Sequence, residues 1–257
     1  MEILISIFVF IYGTVFGSFF NVVGYRLPNN LSLVKPRGSF CPNCKHELTW
    51  KELVPIFSYL IQGGRCTKCK QKIAIFYPLI ETITGLLFLL SYLIFGFSTE
   101  FVIALLLSSY LVIVIVSDGK YMIIPDEVTL VIGLLILVTE LLAYGPLETA
   151  KYVASGIALF GLVFIFMRIT TAIFKKESLG GGDIKLEFVV GLSLGLLNGL
   201  FSIFIASIFA LPIAILKNRK KPTIIAFGPF LILGALIIYL FKLDIVAILK
   251  DLSYLYW

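Results

Sequence analysis

The chain reads as an all-α polytopic membrane protein of about eight spans, with a small four-cysteine loop domain between the first and second of them. Three observations predict this class. Apolar runs of about 20 residues recur along nearly all of the 257 positions. Hydrophobic residues make up 60% of the chain and charged residues only 14%, at a mean hydropathy of +1.04; a soluble domain carries roughly 25% charge. The basic residues, whose excess gives a net charge of +6, gather in a few loops. So placed, they report orientation in a bilayer and give no reason to expect a nucleic-acid partner.

The first span, about 3–23, follows Met1-Glu2. With no basic n-region and no small-residue cleavage site after it, it is expected to stay as a membrane helix. A polar segment, 25–76, comes next, with basic residues from Arg26 to Lys72 set against Glu47 and Glu52. The positive-inside rule makes that segment cytoplasmic. The remaining spans are expected at about 77–96, 101–117, 127–144, 151–174, 185–198, 200–216 and 223–241. The sixth is short, and Asn198-Gly199 is read as the tight turn that ends it. Loops near 97–100 and 145–150 carry Glu100 and Glu148. Those near 175–184 and 217–222 carry Lys175 and Lys176, and Lys217, Arg219, Lys220 and Lys221. The alternation puts both termini outside. The last stretch, Asp244 to Trp257, reads as an interfacial anchor through Tyr254, Tyr256 and Trp257. Three divisions follow: 1–24, 25–76 and 77–257.

Two aspartates fall at the cytoplasmic ends of spans. Asp118 closes the third, where the helix dipole disfavours a negative charge, and Asp183 opens the sixth after Gly180-Gly181-Gly182. A carboxyl group at the hydrocarbon edge is costly, which marks it as a functional candidate. The bland readings are a salt bridge from Asp118 to Lys120 or Lys185, and an N-terminal cap for Asp183. Paired carboxyls are also what aspartyl hydrolysis requires: one takes a proton from water while the other donates one to the scissile carbonyl. The glycines leave room for a substrate backbone. Lys185 either steadies a carboxylate or faces lipid headgroups. Asp126 and Glu127, after Pro125, are read as helix-starting acids. The single histidine, His46, is read as an exposed loop residue.

Cys41-Pro42-Asn43-Cys44 and Cys66-Thr67-Lys68-Cys69 are two C-x2-C pairs separated by 21 residues, and they hold every cysteine of the chain. The pattern predicts a tetrahedral zinc site. Four thiolates close the coordination sphere, so the role is structural. Two disulfides are the alternative, disfavoured in a cytoplasmic loop.

These blocks, in this order, resemble the type IV prepilin peptidase family, which includes bifunctional leader peptidases and N-methyltransferases of type IV pilus, type II secretion and competence systems. The resemblance runs from Gly17-Ser18-Phe19-Phe20-Asn21 through Arg26-Leu27-Pro28, the double C-x2-C and Tyr77-Pro78-Leu79-Ile80-Glu81. It continues to Asp118 with Ile124-Pro125-Asp126, and to Gly180-Gly181-Gly182-Asp183, a G-x-G-D motif. It implies that Asp118 and Asp183 are the peptidase pair of an enzyme in the bacterial cytoplasmic membrane, with its active site facing the cytoplasm. It implies prepilin or pseudopilin substrates, with a short basic leader cut after a glycine, just before an apolar helix. It also implies S-adenosylmethionine as methyl donor. Glu81 and Gly85 are the candidates for its site, with helix capping and packing as their bland reading. A peptidase without methyl transfer, a transporter using the two acids, and a membrane scaffold are the alternatives.

Overall fold

The computed structural model describes residues 1–35, 38–41, 43–175, 179–218 and 225–245. Its helices are α1 (Glu2–Arg26), α2 (Phe57–Ile61), α3 (Phe76–Phe95), α4 (Thr99–Tyr121), α5 (Asp126–Phe174), α6 (Gly181–Leu194), α7 (Leu196–Asn218) and α8 (Gly228–Leu240). No β-strand occurs among the described residues; there are only isolated bridges, Phe40 with Glu47 and Arg65 with Lys72. Five helices are long and apolar enough to cross a membrane: α1, α3, α4, α5 and α7. The protein is a multi-pass membrane protein.

Helix α4 is the centre. Of its most apolar stretch 67% is buried, against 11% to 33% in the other four long helices. It packs on α1, α3, α5 and α8. Ser98 caps its start, accepting from Phe101 N–H at 3.2 Å. Its far end runs one turn beyond the predicted span, so Asp118 lies inside the last turn and not after it.

Close backbone approach is the device that joins the helices, as expected where lipid gives no hydrophobic drive for association. A Cβ on Gly13 would sit 2.8 Å from Gly85 Cα, and one on Gly17 2.8 Å from Glu81 Cα, which fixes the α1–α3 seam. Between α7 and α8, a Cβ on Gly234 would collide with the Ser202 carbonyl and come within 3.1 Å of Ala206 N. Gly234→Ala is therefore expected to destabilise the fold by about 1–3 kcal/mol, read as a lower Tm of the purified protein in detergent.

Two further boundaries differ from those the sequence predicts. The expected loop at 145–150 shrinks to one residue. Gly145 takes φ 77 and ψ 174, and Pro146 starts the next helical stretch at once, so α5 is two helices joined at a sharp break. The turn expected at Asn198-Gly199 lies at Gly195, at φ 78. Asn198 and Gly199 belong to the start of α7, and Asn198 Oδ1 accepts from Ile245 N–H at 3.2 Å. Either glycine can supply the left-handed geometry, and local pattern alone does not choose between them. Lys176, the Arg219–Lys221 cluster and the aromatic residues Tyr254, Tyr256 and Trp257 lie outside the described residues.

Candidate functional site

Asp118 is buried, and its Oδ2 has no hydrogen-bond partner among the described residues. That oxygen faces the start of α8, where a Cβ on Gly228 would lie 3.0 Å away. The same Cβ would be 2.7 Å from Ile124 Cδ1, and one on Gly182 would be 3.0 Å from Ile124 Cβ. Ile124 thus sits between the two glycines and draws the end of α4, the start of α6 and the start of α8 together. Asp183, third residue of α6, accepts from Gly180 N–H at 3.2 Å. The capping reading therefore holds, and Asp183 also lies within electrostatic reach of Asp118. Two carboxyls 65 positions apart in sequence share one end of the bundle. A buried carboxylate oxygen with no partner among the described residues, at the same end of the bundle as a second acid, is a rare expense.

The remaining predicted residues around this pair separate. Gly180 lies beside the Asp183 carboxyl and Gly182 against Ile124, whereas Gly181 has open space beside it. Lys185 turns away, its Nζ 2.7 Å from both carboxylate oxygens of Asp126. Lys120 lies over the rings of Tyr25 and Tyr121. Neither proposed salt bridge to Asp118 forms among the described residues. Asp126 and Glu127 occupy the first turn of α5, as helix-starting acids should, with Pro125 as the cap.

Two further residues stand near this pair. Gly228 was missed because its role, clearing space for Asp118 Oδ2, exists only in three dimensions. Glu187, one turn beyond Asp183, is fully buried, and neither of its carboxylate oxygens has a partner among the described residues. The signal was present: an acid inside the apolar run Leu186-Glu187-Phe188-Val189-Val190.

The cysteine module lies between α1 and α3 and is built twice over. Cys41 N–H bonds His46 O and Lys45 N–H bonds Cys41 O; Cys66 N–H bonds Gln71 O and Lys70 N–H bonds Cys66 O. Lys45 and Lys70 both take φ 58. These matching turns bring the four Sγ atoms within 4.8 Å of one another, with Cys41–Cys69 at 3.8 Å and Cys44–Cys66 at 4.0 Å. A tetrahedral ion with metal–sulfur bonds of about 2.3 Å spaces its ligands by about 3.8 Å. The cluster can hold a metal ion. Glu52 ties the two turns, accepting from the Thr67 hydroxyl, from Thr49 N–H at 2.8 Å and meeting His46 Nε2 at 3.3 Å. The Thr67 hydroxyl first, then the Thr49 N–H, hold the Glu52 carboxyl down at about 2. His46 is accordingly half-buried and partnered, and not the exposed loop residue its sequence context suggests. Arg26 fastens the module's first turn, donating to the carbonyls of Ser32, Leu33 and Gly38 at 2.8 to 3.2 Å.

Between this module and helices α1 and α3 lies a cavity of about 450 Å³, within the roughly 300–1,000 Å³ of small-molecule sites. Tyr25, Tyr59 and Tyr77 contribute rings, and Glu81 and Asn21 polar walls. Asn21 is buried, and its Oδ1 has no partner among the described residues. Glu81 is held by Ile56 N–H at 2.8 Å. Gly85 is not among the cavity's lining residues; a Cβ there would meet Phe10 and Thr14 of α1 at 2.8 Å. Lys120, two residues beyond Asp118, lines the cavity as well.

The model of the bacterial peptidase A24 N-terminal domain matches residues 11–95, and that of the type IV leader peptidase family matches residues 105–215. The chain is 33% identical over 242 residues to a prepilin leader peptidase/N-methyltransferase of Bacillus subtilis, covering 93% of this chain and 95% of that one. Proteins of the same name from Neisseria gonorrhoeae and Pseudomonas aeruginosa are 31% and 32% identical over 252 and 254 residues. These alignments cover 88% and 85% of this chain, and 87% and 84% of theirs. No solved structure matches.

Proposed function

The chain belongs to the type IV leader peptidase family, and from that premise we propose the following reading of its chemistry. It is a membrane aspartyl endopeptidase that removes the leader of prepilin-type proteins and then methylates the new N-terminus. The observation that carries this reading is the buried Asp118 carboxyl against Gly228, with Ile124 joining Gly228 to Gly182, the residue before Asp183. One carboxylate takes a proton from water, whose oxygen attacks the scissile carbonyl carbon; its protonated partner gives a proton to the carbonyl oxygen. Collapse of the tetrahedral adduct breaks the C–N bond as the first carboxyl returns its proton to the leaving nitrogen. The shared proton belongs to the pair and not to one residue.

S-adenosylmethionine fits the cavity beside the module: aromatic faces and a carboxylate suit a sulfonium cation, and Asn21 Oδ1 offers an unused acceptor. When bound, it supplies the methyl group for the amine freed by cleavage. Tyr59 and Tyr77 would face its cation and Glu81 its ammonium. Gly85 acts through helix spacing. Zinc on Cys41, Cys44, Cys66 and Cys69 is structural in this reading. Eight spans, counting each half of α5, with the basic loops inside, place both termini outside and the pair at the cytoplasmic face. The divisions 1–24, 25–76 and 77–257 are then a first span, a zinc module and the peptidase region.

The test is a cleavage assay on a model prepilin with purified protein in detergent, with and without S-adenosylmethionine. Leader removal, followed by a one-methyl mass gain, is expected. Cleavage without the gain leaves a peptidase alone, and no cleavage by folded protein favours the scaffold. Asn21→Ala is expected to raise the KM for S-adenosylmethionine about tenfold, the worth of one lost hydrogen bond, while leader cleavage stays near wild type. Equal kinetics of methylation in the variant would remove Asn21 from the donor site.

A further inference from the structure

The charged residues lining the cavity beside the cysteine module are Arg26, Glu52, Lys72, Glu81 and Lys120. Two of them are engaged by the module itself. Arg26 holds the carbonyls of Ser32, Leu33 and Gly38, and Glu52 holds Thr49, Thr67 and His46. Lys120, from the last turn of α4, has no acid partner among the described residues. Its ammonium rests 5.6 Å from the centre of the Tyr25 ring and 5.2 Å from that of Tyr121. It is also within electrostatic reach of Tyr77. Ring faces attract an ammonium only weakly where water reaches it, so an anion entering the cavity can draw Lys120 off them.

Helix α3 supplies the opposite charge. Tyr77 and Glu81 are four residues apart, so they share one face and stand about 6 Å apart along the axis. Asn21 of α1 joins them: its Nδ2 donates to the Tyr77 carbonyl at 3.5 Å, and its buried Oδ1 has no partner among the described residues. The wall thus offers a cation near Tyr77 and an acid one turn further along α3, and the two do not pair with each other. A ligand with an ammonium and a carboxylate on one carbon, the amino-acid end of S-adenosylmethionine, complements that arrangement.

We propose that Lys120 binds the carboxylate of the methyl donor, with Glu81 and Asn21 Oδ1 taking the ammonium beside it; the inference rests on the reading of this cavity as the S-adenosylmethionine site. Lys72, exposed on the module, is the rival cation of the lining. Two features favour Lys120 over it. Lys120 stands near Tyr77, on the helix face that carries Glu81 and holds Asn21. Its backbone is also fixed, because the bond from Met122 N–H to Asp118 O, at 3.0 Å, closes the last turn of α4.

Equilibrium dialysis with the full-length protein in detergent tests this. It compares S-adenosylmethionine with its decarboxylated analogue, which keeps the sulfonium and the amine and lacks the carboxylate. Wild type is expected to bind S-adenosylmethionine about tenfold more tightly than the analogue, the effect of one charge-assisted contact. Lys120→Gln should abolish that preference by weakening S-adenosylmethionine alone, with the Kd of the analogue and the Tm unchanged. A merely structural role would weaken both ligands alike, and that outcome would overturn the inference. So would a wild type without the preference, a Lys120→Gln variant that keeps it, or its loss in Lys72→Gln and not in Lys120→Gln. Failure of the folded wild type to bind either compound would overturn the reading of the cavity as the donor site.

Discussion

Asp118→Asn and Asp183→Asn each lower leader cleavage by about 10³-fold or more, equivalent to at least about 4 kcal/mol of transition-state stabilisation. The amide is nearly isosteric with the acid, so packing against Gly228 and the bond from Gly180 N–H persist, and the proteins remain inserted with a near-normal Tm. What disappears is the ability to exchange a proton with water or with the scissile oxygen. Because the two acids act as one unit, the double variant is expected to be no worse than either single one. Steady-state cleavage of a model prepilin measures all three. Activity within tenfold of wild type in either single variant would remove that residue from the pair. If both retained activity, the acids would be structural caps, and the module and bundle would belong to a scaffold.

The placement of that pair was legible because two local signals coincide at each acid: a carboxyl where the bilayer makes it costly, and glycine or a span end beside it. The partners were not legible. Gly228 lies 110 positions from Asp118, and the ion pair of Lys185 with Asp126 joins residues 59 apart; periodicity contains no information on either. Helix existence followed from apolar length, but the position of a break did not. Gly195 and Gly199 carry equivalent local signals, and tertiary packing decides: a Cβ on Gly199 would press on Leu159 at 2.7 Å, so Gly199 serves as a packing surface and Gly195 turns the chain. Glu187 is a different case. Its burial is readable from its apolar neighbours, because an acid inside a span is costly wherever it stands.

The cysteine module shows how composition can foretell energetics as well as structure. Among the described residues between α1 and α3, only Cys41 and Cys66 are buried. An assembly whose sole buried side chains are cysteines has no apolar core to fold around, and structural zinc in comparable peptides contributes about 10 kcal/mol or more of folding free energy. Removing the metal with a strong chelator, or replacing Cys66 with serine, is therefore expected to unfold the module. One zinc per chain should be lost, and the segment between α1 and α3 should become protease-sensitive. Glu52 with its threonine partners, and Arg26 with three carbonyls, cannot replace that core, since each ties surface turns together. The two activities should then part. Phe40, Tyr59 and Gln71 of the module wall the cavity proposed for the methyl donor, so methyl transfer is expected to fall at least tenfold. Asp118, Asp183 and Gly228 all stand on helices outside the module, so cleavage should fall far less. Parallel loss of both activities would mean that the module supports the aspartyl pair as well. A zinc-free protein whose module still resists protease would mean that something other than a metal holds the four cysteines.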